Sequence, residues 1–263
     1  MRASEWIAFV YFVFIAAAAW LRRRPLGRRL AITTVSALLA GTVWLMSRAG
    51  ETIVRDWAPL VYLLSGYFAS GALFTEPSAP MESWLIAWDR RFLGDPTTRF
   101  ARWPRVLVAA VEVVYMGCFL LLPAGFALLV AGGHQALVDR YWTFVNAAEF
   151  GSFAPLAFIQ TRPPWALERP PALADQKVHR LVTAWTQYVT IHANTFPSGH
   201  VAGSLSVAFA VLPVLPLQGL ALLALALAIT LGCIVGRYHY IVDAIAGALL
   251  AIAVWIVVSA AGM

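Results

Sequence analysis

Lysine is almost missing from this chain: of nineteen basic residues among 263, only Lys177 is not an arginine. Charge of either sign is scarce, at 12% of residues against about 25% in an average soluble domain. There are two cysteines, Cys118 and Cys233, both inside apolar runs, so no disulfide framework is implied. Internal repeats and low-complexity tracts are absent. What the chain has instead is apolar surface: 61% of its residues are hydrophobic, more than one soluble core can bury.

That surplus falls in blocks near 5–21, 30–47, 57–74, 105–131, 141–160, 199–214, 218–236 and 240–260. A helix needs about 20 mostly apolar residues to cross a bilayer core, and the blocks approach or reach that length. The pattern is that of an all-α polytopic membrane protein. The first block resembles a secretory signal, but Trp20-Leu21-Arg22-Arg23-Arg24 follows it as a charged stop, so it reads as a retained anchor. The net charge of +6 is spread over the connections, where it sets topology and gives no reason to expect nucleic acid. If all eight blocks span, fifteen of the nineteen basic residues share one side, which the positive-inside rule makes cytoplasmic. A change in the number of spans would swap the faces.

Two connections are long. In residues 79–104, Met81, Trp84, Leu85 and Trp88 recur at helical spacing opposite Glu82 and Asp89-Arg90. That predicts an interfacial helix with its apolar face in the headgroups. Residues 161–198 are rich in proline, with a short amphipathic helix expected near 176–192. Connections this long tend to be functional or disordered.

Three polar clusters fall on one predicted face. In the third, His239 and Asp243 stand one helical turn apart, so the carboxylate can orient the imidazole and leave its other nitrogen open as a nucleophile. A buried packing pair is the competing reading. In the second, Pro197-Ser198-Gly199-His200 opens an apolar block. Ser198 and Gly199 sit at a helix N-terminus suited to phosphate, and His200 has no evident partner. By itself this is equally a capped helix with an interfacial histidine. Gly199 and Gly203 also form a small-residue pair for helix packing. In the first, Arg162 and Arg169 offer guanidinium forks for phosphate oxygens on a proline-stiffened loop. Brought together, these groups suit phosphoryl transfer. Glu112 and Glu149, inside apolar blocks, could meet a headgroup or pair helices, and His134, His179 and His192 show no ligand spacing.

The order Arg-x6-Arg-Pro, Pro-Ser-Gly-His and His-x3-Asp resembles the type 2 phosphatidic acid phosphatase superfamily, which shares its fold with vanadium haloperoxidases. The family's signature is Lys-x6-Arg-Pro, Pro-Ser-Gly-His and Ser-Arg-x5-His-x3-Asp. The resemblance covers about residues 57–260 and implies a six-helix core with about two extra N-terminal transmembrane helices, divided as 1–56 and 57–263. His-Tyr-x-x-Asp at 239–243 also looks like the branch of inositol phosphorylceramide synthases. Two positions depart from the signature: Arg162 stands for lysine, and Cys233 stands for the arginine six residues before His239, leaving Arg237 as the nearest cation.

The resemblance implies that His239 attacks phosphorus to form a phosphohistidine, oriented by Asp243, while His200 protonates the leaving alkoxide and then activates water or an alcohol. Arg162, Arg169, Ser198, Gly199 and Arg237 are the implied phosphate-binding set. No metal or cofactor is called for, because the arginines supply the positive charge. The expected substrate is a lipid phosphate within the bilayer, phosphatidic acid or a polyprenyl phosphate, at a bacterial inner membrane. Transfer of a phosphoryl-headgroup to an alcohol is the alternative, and a non-enzymatic proton relay or transporter is a third. The membrane composition disfavours a haloperoxidase.

Overall fold

The computed structural model describes residues 1–168 and 177–262. Helices dominate: α1 (Ala3–Ala18), α2 (Leu26–Met46), α3 (Ile53–Gly71), α4 (Ala79–Leu93), α5 (Pro96–Ala101), α6 (Arg105–Met116), α7 (Cys118–Ala131), α8 (Val138–Phe153), α9 (Pro164–Leu167), α10 (Lys177–Val189), α11 (Gly199–Val211), α12 (Pro216–Val235) and α13 (Ile241–Ala260). Each apolar block of the sequence is occupied by a helix, and α10 stands where the amphipathic segment was expected. By length and apolarity α2, α12 and α13 each suffice to cross a membrane. Block 105–131 departs from expectation. It passes only as the pair α6 and α7, bent by 55°. The break falls at Gly117, a residue type whose conformational freedom gives it the weakest helix propensity after proline.

The centre of the bundle is α11, buried along nearly its whole length and packed against α7, α8, α12 and α13. With thirteen residues it is about 20 Å long, too short to cross a bilayer by itself. Longer helices surround it, so its N-terminus, with His200, opens inside protein. The N-terminal pair is tied to the same core. Asp139 at the start of α8 accepts from the amides of Ala3 and Ser4 at 3.0 Å, capping α1, and Glu5 pairs with Arg55 of α3 at 2.7 Å.

The helix expected in this connection is present as α4; its acids pack against protein, and Leu85, expected on the apolar face, turns inward with them. Glu82, Leu85 and Asp89 are its buried residues, while Trp84 is 43% exposed. The acids point inward because each has a cationic or backbone donor waiting there. Glu82 binds Arg162, while Asp89 binds Arg237 and the amide of Ile241. Buried carboxylates are tolerated when so matched.

Candidate active site

The connection between α12 and α13 carries the first part of the site. Helix α12 ends in a Schellman motif: the amide of Arg237 donates to the carbonyl of Ile234 at 3.2 Å and that of Tyr238 to Cys233 at 2.9 Å. The left-handed position of that motif usually holds glycine. Here it holds Arg237, at φ 61°. Its side chain, wholly buried, makes the conformation worth adopting: one arm donates to Asp89 at 2.6 Å and the other to Glu168 at 3.1 Å. Asp89 also accepts from the amide of Ile241 at 2.7 Å, so one carboxylate clamps the end of α12 and the start of α13. Burial pushes the Asp89 carboxyl up, and Arg237 with the Ile241 amide pulls it back down.

His239 therefore precedes α13 and does not share a helix face with Asp243, as the spacing had suggested. Tyr240 is the N-cap, and Asp243 at the third helical position accepts its amide at 3.0 Å, the reciprocal half of a capping box. The same oxygen stands 3.4 Å from Nδ1 of His239. Helix capping, not helical periodicity, brings the carboxylate to the imidazole. Burial lowers the basicity of His239, which lies in the connecting loop, so its free nitrogen keeps a lone pair at neutral pH.

His200 is not unpartnered. Its Nδ1 lies 3.2 Å from Nε2 of His239, and its Nε2 lies 3.3 Å from the hydroxyl of Tyr115. One proton arrangement satisfies the whole row: Tyr115 donates to His200, His200 donates to His239, and His239 donates to Asp243. Tyr115 belongs to α6, just before the break at Gly117, and is stacked on Tyr238 with ring centroids 4.2 Å apart. Nothing in the sequence marks it, because a tyrosine in an apolar run has no motif to identify it.

At the start of α11, Ser198 is the N-cap, its hydroxyl accepting from the amide of Val201 at 3.5 Å. The amide of Ser198 is spent on the carbonyl of Asp243 at 3.0 Å, and that of Gly199 on Thr195 at 3.4 Å. The glycines have a specific neighbour. A Cβ on Gly199 would lie 2.9 Å from a carboxyl oxygen of Glu149, and one on Gly203 would collide with that carboxyl outright. The pair read from sequence as helix-packing glycines makes room for a carboxylate.

The expected cations are differently engaged. Arg162 is bidentate on Glu82, at 3.0 and 2.8 Å, and its own amide donates to the same carboxylate at 2.9 Å. That pairing holds Glu82 below the usual carboxylate range. Arg162 keeps 43% of its side chain exposed. Arg237 departs from the phosphate-binding expectation, because both its terminal nitrogens are committed to buried acids. Arg169 lies outside the described residues. His179, expected to be a bystander, pairs with Glu112 and so ties α10 to α6.

A cavity enclosing about 960 Å³ of space, part of it open, meets the two histidines. Leu60, Leu63, Leu64 and Leu122 line it, as do Thr186, Thr190, Asn194 and Thr195, with Glu149, His200 and His239 among the walls. No lysine or arginine lines it among the described residues.

No curated protein and no solved structure matches the chain. A family model described as the PAP2 superfamily matches residues 120–262, more than half of the chain, including α11, both histidines and Asp243. Members of that family are generally phosphatases, which supports a phosphatase- or phosphotransferase-type lipid phosphate function for a chain whose apolar helices suit a membrane. The chain belongs to the PAP2 superfamily.

Proposed function

We propose that this membrane protein removes the phosphoryl group of a lipid phosphomonoester or diphosphate, of the phosphatidic acid or polyprenyl phosphate type, through a phosphohistidine on His239. The observation that carries the reading is the row Asp243–His239–His200 at the wall of a largely apolar cavity. Asp243 accepts the Nδ1 proton and directs the Nε2 lone pair of His239 toward phosphorus. The phosphoryl group enters between the two imidazoles and replaces their mutual hydrogen bond. His200 takes up a proton with the phosphate, its Nε2–H now donating to Tyr115; as the Nε2–P bond of His239 forms, the bond to the lipid oxygen breaks, and Nδ1 of His200 gives that oxygen its proton. His200 then takes a proton from water, whose oxygen attacks phosphorus and returns His239 to its free state. General acid–base assistance of this kind is typically worth about 10²–10⁴-fold.

The phosphoryl oxygens fall to the Gly199 amide once it leaves the Thr195 hydroxyl, the N-terminal dipole of α11 capped by Ser198, and the guanidiniums of Arg162 and Arg169, with Glu82 yielding Arg162 to the anion. Arg237 is left to its structural acids. A multi-pass helical chain of this kind fits a bacterial inner membrane, since outer membranes are spanned by barrels.

The cavity favours a second reading, transfer to an acceptor alcohol as in the inositol phosphorylceramide synthase branch. Its largely apolar lining would keep water from the phosphohistidine, as such a transfer requires. The family assignment favours both readings over a non-catalytic proton relay. Purified protein incubated with a panel of lipid phosphates, with and without alcohols, separates them. Phosphate release abolished in His239→Ala supports hydrolysis. Labelled product lipid without free phosphate supports transfer, and silence of the wild type across the panel contradicts both.

A further inference from the structure

Glu149 has no assigned role, and its setting is unusual. It lies on α8 with 6% of its surface exposed, and its carboxyl group makes no hydrogen bond among the described residues. A buried carboxylate without a donor costs several kcal/mol in an apolar medium, so such residues at membrane depth persist where function requires them. The carboxyl is one wall of the cavity that also meets His200 and His239. Its place is built for it: at both Gly199 and Gly203 a side chain would strike it. Gly203 is the closer match: a Cβ there would collide with the carboxyl outright, whereas one on Gly199 would lie equally near Glu149, Phe153 and Ser152.

The cavity shows what kind of group the acid receives. With no lysine or arginine among its described lining residues, nothing of that kind there would balance a second anion. The polar lining is mostly hydroxyls and an amide, from Thr186, Thr190, Asn194, Thr195 and Ser204 with His192 beside them, while Leu60 and Leu64 belong to the apolar part. An amphipathic molecule with a hydroxyl near its reacting end fits that division. A neutral hydroxyl also enters an apolar cavity at far lower desolvation cost than an ammonium group.

We infer that Glu149 accepts a hydrogen bond from a hydroxyl of the lipid bound in this cavity, so that the enzyme selects lipid alcohols. The inference deepens the phosphoryl-transfer reading and rests on it. The hydroxyl has two possible sources, a free hydroxyl on the phosphate donor or the acceptor alcohol itself. In the second case the hydroxyl exchanges its hydrogen bond from Glu149 to His200, which takes its proton as the alcohol oxygen bonds to phosphorus and the His239 Nε2–P bond breaks.

The experiment compares wild type, Glu149→Gln and Glu149→Leu as purified full-length protein in detergent. Donors are lysophosphatidic acid, which bears a free hydroxyl, and hexadecyl phosphate, which bears none, each with and without dioctanoylglycerol as acceptor. A hydrogen bond is worth a factor of up to about ten. In the wild type we expect either kcat/KM about tenfold higher for lysophosphatidic acid or phosphoryl transfer to dioctanoylglycerol. The first result identifies the donor's hydroxyl and the second the acceptor's. Glu149→Leu should lose that preference or that transfer, with Glu149→Gln intermediate. Gln matches Glu in volume and carries the test should the leucine variant not fold. Equal losses on both donors with no dependence on acceptor overturn the inference, as does a Glu149-dependent preference for an ammonium-bearing lipid. Acid-labile labelling of the wild type by radiolabelled donors separates the two levels. Labelling without hydroxyl selectivity sinks the inference alone, and no labelling by any donor sinks the proposed function with it.

Discussion

The hydroxyl of Tyr115 stands 3.3 Å from Nε2 of His200, on the side of the ring opposite His239. That contact sets which nitrogen of His200 faces the reacting centre, so Tyr115 is a positioning residue. Tyr115→Phe keeps the ring that stacks on Tyr238 and removes only the hydroxyl. One neutral hydrogen bond predicts a loss in kcat of roughly two- to tenfold. The acid limb of the kcat–pH profile should move as well, because the proton affinity of His200 changes. An unmoved profile with the same loss would reduce Tyr115 to a packing residue.

Arg237 and Asp89 form a fully buried pair across the end of α12. Removing one member of such a pair leaves the other charged and unmatched, at a typical cost of about 3–5 kcal/mol. Arg237→Ala is thus expected to lower the Tm sharply, as is Asp89→Ala. If Arg237 instead bound phosphate, its alanine variant would keep its Tm and bind vanadate more weakly.

Gly203→Ala places a methyl group against the Glu149 carboxyl. Overpacking of this kind costs about 1–3 kcal/mol, measurable as a lower Tm. The double variant Gly203→Ala, Glu149→Ala should recover most of that loss, because the colliding group is gone. Additive destabilisation would mean that the two residues do not share the space.

Glu82 is held below its usual range by Arg162, so the pair stabilises the fold at neutral pH and is lost only on acidification. The sign follows from linkage: the contribution is full above the ordinary carboxylate value of about 4.3 and disappears as pH falls through the lowered one. Because Arg162 is 43% exposed, its worth is at most about 1 kcal/mol. The Tm difference between wild type and Glu82→Gln should be small at pH 7 and vanish in strong acid. A difference that grows with acidification would reverse this assignment.

The helices were legible because apolar blocks and polar connections leave a strong signal over 15 to 20 residues. His200, His239 and Asp243 were legible as a motif, although the structure joins them by another route than the one their spacing suggested. What could not be read were contacts between segments far apart in the chain. The burial of Glu82 and Asp89 in α4 depends on Arg162 and Arg237, which lie more than 70 residues away, so no local pattern showed it. Tyr115 meets His200 across 85 positions. Gly199 and Gly203 were recognised as small, but only the fold shows that Glu149 fills the space they leave.

The most direct test is to trap the intermediate. The full-length protein is mixed with a radiolabelled lipid phosphate, quenched within the first turnover, and the label is located by peptide mapping under alkaline conditions. An acid-labile, alkali-stable phosphoryl group on His239, absent from His239→Ala and long-lived in His200→Ala, is the predicted result. Turnover of the lipid with no label on His239, or turnover that survives His239→Ala, would contradict it.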